Sequence, residues 1–110
     1  MPASFVLKRS ADKQFHVVLT AENGEPILTS ETYTTKAGAQ GGIQLMRDSS
    51  TQDELYERKQ TADGGHWFIL KSAKGELIGR GETYPYLDAA ERGVAAVKRV
   101  ARRALIREEV

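Results

Sequence analysis

Hydrophobic and polar positions alternate early in the chain. Phe15, Val17 and Leu19 are interleaved with His16, Val18 and Thr20, the period-two pattern of a strand that turns one face to a core. Asn23-Gly24 follows, and because both residues tolerate positive φ it predicts a hairpin turn into a second strand at Pro26-Ile27-Leu28-Thr29. Proline suits the start of that strand. Phe5-Val6-Leu7 supplies an earlier strand-like run. After Tyr33, Thr34 or Thr35 is placed to cap a helix whose apolar positions Ala39, Ile43 and Met46 keep helical spacing, and Asp48 to Thr51 ends it.

The second half repeats this plan. Asp63-Gly64-Gly65 turns the chain, His66 to Lys71 forms a strand, and Lys74-Gly75 makes a hairpin before Leu77-Ile78. Pro85 stands at a helix start. Leu87, Ala90, Val94, Val97, Ala101 and Leu105 make one apolar stripe, which predicts a second helix running further than the first.

Shifted against itself by 51 positions, the chain aligns without a gap: Lys8 falls on Lys59, Ala11-Asp12 on Ala62-Asp63, Leu19 on Leu70, Gly24-Glu25 on Gly75-Glu76 and Ile27 on Ile78. Glu31-Thr32-Tyr33 falls on Glu82-Thr83-Tyr84, Ala39 on Ala90 and Gly42 on Gly93. About a dozen identities in one register argue for a duplicated unit. The expected organisation is a single domain, 1–110, of two repeats, 5–54 and 55–110. Each repeat reads as three strands and a helix (βββα). The expected fold is α+β: one mainly antiparallel sheet of about six strands with both helices on one face, related by a pseudo-twofold axis. Glycine in mid-helix costs about 1 kcal/mol against alanine, so Gly42 and Gly93 predict a close approach of helix to sheet.

The pattern Gln14 to Leu19, Asn23-Gly24-Glu25, Ser30-Glu31-Thr32-Tyr33 and Ala39 to Gly42-Ile43, present twice, resembles the YegP-like family of uncharacterised bacterial proteins. The resemblance spans residues 5 to 98. It implies an α+β fold in which the repeats, or two single-repeat subunits, assemble into one continuous sheet with exchanged edge strands, and it implies no activity and no functional residues. The second repeat departs from the motif at His66, where the first has Phe15, and at Gly81, where it has Ser30.

Composition narrows the classes. At 110 residues the chain holds one modest core. It has no cysteine, which excludes disulfides and thiolate metal sites. No apolar run is long enough for a membrane span, and the N-terminus lacks the pattern of a secretory signal, so a cytoplasmic protein with no membrane partner is expected. The net charge of +1 neither demands nor excludes a polyanion.

Two histidines, His16 and His66, without recognised ligand spacing give no metal site. No nucleophile elbow, phosphate loop or dinucleotide fingerprint is present, so the chain is expected to be no enzyme and to need no cofactor. An enzyme using Glu31 or Glu82 as general base with its tyrosine would need a closed pocket. Three surfaces remain. Glu31 with Tyr33 and Glu82 with Tyr84 form two equivalent carboxylate and phenol pairs. Arg92, Lys98, Arg99, Arg102 and Arg103 lie off the apolar stripe of the last helix as candidate phosphate contacts. On the sheet face opposite the helices, strand alternation places Trp67 and Ile69, with His16 and Val18 as their counterparts, as an exposed contact patch. The reading is a noncatalytic binding or protein-interaction module, monomer or homodimer, with a protein or peptide partner. The alternative is nucleic-acid binding through the basic helix or the open sheet face.

Overall fold

The computed structural model describes residues 2–110. Its elements are β1 (Ser4–Arg9), β2 (Phe15–Thr20), β3 (Pro26–Ser30), α1 (Lys36–Ser49), β4 (Tyr56–Gln60), β5 (His66–Lys71), β6 (Leu77–Arg80), α2 (Leu87–Val100) and β7 (Leu105–Glu109). All strands join one sheet in the order β4-β5-β6-β3-β2-β1-β7. Both hairpins that the sequence marks are present, with Gly24 and Gly75 in the left-handed region at φ 84° and 87°. Thr35 caps α1, its hydroxyl accepting from the Gly38 N–H at 2.9 Å.

The two repeats meet at the centre of the sheet, where β3 and β6 pair antiparallel with Thr29 opposite Arg80. These two residues are equivalent in the repeat, so the pseudo-twofold axis passes between them. Each helix then bridges the repeats. α1 lies on β2 and on β6, and α2 lies on β5 and on β3. Phe5, Leu7, Val17, Leu19, Leu28, Ile43 and Met46 join Phe68, Leu70, Val94 and Val97 in one core between the sheet and the helices. Both helices are on one face, as alternation requires.

Three expectations are corrected. The sheet has seven strands, and its seventh, β7, pairs parallel with β1 while every other pairing is antiparallel. α2 is no longer than α1, since both have 14 residues. The stripe through Ala101 and Leu105 keeps helical spacing, but the Val100 carbonyl accepts from both Arg103 and Ala104 N–H groups, and the chain turns back. Leu105 then donates its N–H to the Ala3 carbonyl and opens a strand along the edge of β1. The third correction concerns the mid-helix glycines. Their nearest neighbour is the tyrosine of the preceding Glu-Thr-Tyr triplet, and at Gly93 the sheet comes nearly as close, where a Cβ would stand 3.2 Å from Phe68 Cε1 of β5. A Cβ on Gly42 would stand 2.7 Å from Tyr33 Cζ, and one on Gly93 would stand 3.0 Å from the Tyr84 hydroxyl oxygen.

The departure at Gly81 has a steric cause. In the first repeat Val17 is buried beside Ser30, whose Oγ accepts from the Val17 N–H at 2.8 Å and donates to the Glu31 carbonyl at 2.7 Å. In the second repeat the larger Phe68 stands where Val17 was. A Cβ on Gly81 would overlap Phe68 Cε1 and Cζ and lie 2.8 Å from its Cδ1. The two repeats fill one volume with different pairs, valine with serine and phenylalanine with glycine.

Candidate functional site

The Glu-Thr-Tyr triplets are built into the fold. Tyr33 exchanges two backbone hydrogen bonds with Phe15 (2.8 and 2.7 Å), and Tyr84 exchanges two with His66 (both 2.7 Å). Each ring turns inward against its helix glycine, and burial raises each phenol above its ordinary value. The carboxylates point elsewhere. Glu31 is ion-paired to Arg80 at 3.2 Å, and Glu82 is exposed. Each carboxylate adds to burial in raising the phenol of its own triplet, but neither is hydrogen-bonded to it among the described residues, and the arrangement does not form the closed acid–base pocket that general-base chemistry requires.

The arginine face is divided. Lys98 pairs with Asp53 at 2.6 Å, beside β4, whereas Arg99 and Arg103 both reach Glu22 at 3.1 and 3.4 Å, beside the first hairpin. Arg92 and Arg102 form no ion pair among the described residues. Arg92 and Arg99 line an open groove of about 360 Å³ between the first hairpin and α2, with Tyr84 and Gly93 also in its lining. Of the five basic residues that the sequence groups together, Lys98 thus lies on one side and Arg92, Arg99 and Arg103 on the other, and three of them already hold carboxylates.

Among the described residues no element covers the open sheet face, yet its apolar residues are not exposed. One row crosses the sheet through Arg107, Val6, Val18, Thr29, Arg80, Ile69 and Glu57. Ile69 is only 8% exposed and Trp67 is half-buried, which corrects the expected contact patch. The reason is the length of the neighbouring side chains. Lys59 Nζ stands 5.9 Å from the centre of the Trp67 ring, and Glu57 pairs with both Lys71 and Lys59 at 2.7 and 3.0 Å. Those two lysines hold the Glu57 carboxyl down to about 2. At the other end His16 Nδ1 is hydrogen-bonded to Ser10 Oγ, and burial with the nearby Lys8 lowers its imidazole below the ordinary value.

The large apolar groups left in solvent lie at the sheet margins and on the helices: Leu105, Ile106 and Val110 at β7, Tyr86 and Leu87 at the start of α2, and Leu45 on α1. β7 is held to the molecule along its whole length. Lys36 pairs with Glu108 at 2.6 Å, and Arg47 donates to the Ala104 carbonyl at 2.8 Å while its guanidinium lies 5.3 Å from the Phe5 ring centre. The sequence contained a signal for this strand. Leu55-Tyr56-Glu57-Arg58, which enters β4, reappears in outline as Leu105-Ile106-Arg107-Glu108, two apolar residues followed by a pair of opposite charges in exchanged order.

At the opposite margin β4 has a partner on one side only. His66 bonds Tyr84 and the Phe68 carbonyl accepts from Gly81, so even-numbered residues of β5 face β6 and odd-numbered ones face β4. The pairs Glu57 with Ile69 and Lys59 with Trp67 therefore carry the ladder, and the N–H and C=O groups of Tyr56 and Arg58 point outward. Above this edge Arg58 bonds Glu91 and Asp53, each at 2.9 Å, and Lys98 Nζ lies 5.5 Å from the Tyr56 ring centre. Hydrogen bonds from Lys98 and Arg58 hold Asp53 down to about 2.

Among the described residues no helix is long and apolar enough to cross a membrane, and no three His, Asp or Glu side chains are grouped as metal ligands. The model of a domain of unknown function, DUF1508, matches the chain twice, at residues 10–57 and 62–108. The YegP protein of Shigella flexneri is 46% identical over 98 residues, 89% of each chain. A UPF0339 protein of Pseudomonas aeruginosa is 42% identical over 109 residues, 99% of each. The solution structure of the Escherichia coli YegP protein, of unknown function, superposes with a TM-score of 0.92 at 40% identity, covering 99% of this chain and 94% of that one. That of a UPF0339 protein from Shewanella oneidensis gives 0.91 at 33% identity, covering 98% and 92%.

Proposed function

We propose that this chain, which belongs to the UPF0339 (YegP) family and carries the DUF1508 unit twice, is a noncatalytic protein-interaction module that takes an extended segment of a protein partner onto an edge of its sheet. One observation carries the reading: the sheet already extends itself by strand addition, because β7 docks parallel on β1 as a strand beyond the three of each repeat. An edge that accepts one such strand through main-chain hydrogen bonds has the geometry for peptide recognition by the same means. The noncatalytic part is supported by the structural use of both Glu-Thr-Tyr triplets, whose tyrosines are bridged to Phe15 and His66 and packed against helix glycines. Nucleic-acid binding is the weaker reading, because three of the five candidate phosphate contacts hold carboxylates and Trp67 is capped by Lys59.

The test is an amide chemical-shift titration of the labelled chain with a soluble extended peptide and, separately, with mixed short RNA and DNA. Shifts along β4 or β7 with the peptide support the proposal. Shifts at residues 92 to 103 or around Trp67 with nucleic acid, weakening steeply as salt rises, would replace it by the alternative.

A further inference from the structure

The pseudo-twofold axis relates β1 to β4, and it therefore relates the place that β7 occupies to the outer side of β4. β7 runs beside β1 with Ile106 opposite Phe5 and Glu108 opposite Leu7. α1 flanks it with Lys36, which grips Glu108, and Arg47. The equivalents on α2 are Leu87 and Lys98. Among the described residues no strand lies outside β4, yet the equivalent wall stands there: Tyr56 takes the place of Phe5, and Lys98 lies over Tyr56 as Arg47 lies over Phe5. Where the ion pair to β7 is made in the first repeat, the second presents Leu87, 50% exposed, next to Tyr86, 71% exposed. Leu87 sits one turn before Glu91, which bonds Arg58 of β4, so it is on the side of α2 that faces this edge.

Resting on the strand-addition reading above, we propose that the outer edge of β4 is a docking slot for an extended segment of a partner protein, parallel to β4 and apolar at alternate positions. The register of β7 on β1 specifies the chemistry. The residue beside Tyr56 packs as Ile106 packs beside Phe5 and is apolar. Two residues later the side chain reaches Leu87 instead of a lysine and is apolar as well. A carboxylate is not wanted there, because Glu91 and Asp53 already set two negative charges against the single charge of Arg58. The residue beside Lys59, on the open face, is acidic or neutral. A second copy's β7 does not meet this pattern, since it would set Glu108 against Leu87, and β7-to-β4 contacts between copies would not close on themselves.

The experiment uses the full labelled chain and two soluble peptides, one alternating valine with threonine and one with glutamate in place of each valine. The valine peptide is expected to shift the amides of Tyr56, Arg58 and Gln60, and a nitroxide on its N-terminus should broaden Tyr56 before Gln60. Leu87→Lys should weaken it about tenfold while leaving the unfolding midpoint unchanged, because that side chain is half in solvent. If both peptides bind β4 equally, or L87K has no effect, the proposed partner chemistry is wrong and the edge reading survives. Shifts on β7 alone overturn the slot and keep strand addition. A reversed nitroxide pattern overturns the parallel direction, and concentration-dependent self-association through β4 names a second copy as occupant. No shift at either edge overturns both readings.

Discussion

Rebuilding the first repeat's packing pair inside the second gives a quantitative test of how the duplicated fold fills its core. Gly81→Ser alone places a side chain inside the Phe68 ring, which is fully buried and has no free direction in which to move. Overpacking of this kind costs about 2 to 3 kcal/mol. Phe68→Val alone removes most of a buried ring and leaves a cavity, at about 2 to 3 kcal/mol. If the two sites acted independently the double variant would lose about 5 kcal/mol. It should instead lose only about 2 kcal/mol, because valine and serine together are the pair that already packs at Val17 and Ser30, where the serine hydroxyl also finds a donor and an acceptor. Urea unfolding of the wild type, both single variants and the double variant measures the coupling directly. A coupling near zero would refute the argument, as would a double variant less stable than either single one.

Other outcomes follow from the same contacts. Gly42→Ala should destabilise by about 1 to 2 kcal/mol, since overlap with the Tyr33 ring outweighs the helix gain of about 1 kcal/mol; Gly93→Ala, with its nearest neighbour at 3.0 Å, should be close to neutral in the same unfolding assay. Asp53 should titrate near 2 when followed by carboxyl NMR. Its folded value is depressed, so its contribution is present above the unfolded carboxylate value of about 3.9 and is lost as pH falls toward 2; Asp53→Asn should flatten the pH dependence of stability in that window. Arg47→Met keeps the stem over Phe5 but removes the donor to Ala104, and it should speed amide exchange in β7 without altering exchange in β5.

The parts of the fold that were legible in the sequence are those set by local chemistry. Alternation at Phe15 to Leu19, the Asn23-Gly24 and Lys74-Gly75 turns and the Thr35 cap each identify their element, and the 51-residue repeat gives the symmetry. β7 was hidden because Ala101 and Leu105 continue the helical spacing of α2. What ends the helix is tertiary: the unpaired edge of β1 and the donors of Arg47 and Lys36. The candidate surfaces were less legible for a related reason. Strand period places Trp67 and Ile69 on the open face, but it does not report that Lys59 and Lys71 cross that face to reach Glu57. Helix period likewise groups Lys98 with Arg99, while Asp53 and Glu22 draw them to opposite sides. The pairing of Gly81 with Phe68 needs the second repeat's β5 and β6 folded side by side, because the two residues are neighbours only across adjacent strands.

The central claim is that the two margins of the sheet are equivalent except that one carries its added strand and the other waits for one. Amide exchange of the free chain, then of the chain with the alternating valine–threonine peptide, tests it most directly. The account predicts slow exchange at Phe5 and Leu7, whose N–H groups β7 covers, fast exchange at their equivalents Tyr56 and Arg58, and protection of the latter by at least roughly tenfold when peptide is added. Equal protection of both edges in the free chain, or no gain at Tyr56 and Arg58 with saturating peptide, would contradict it.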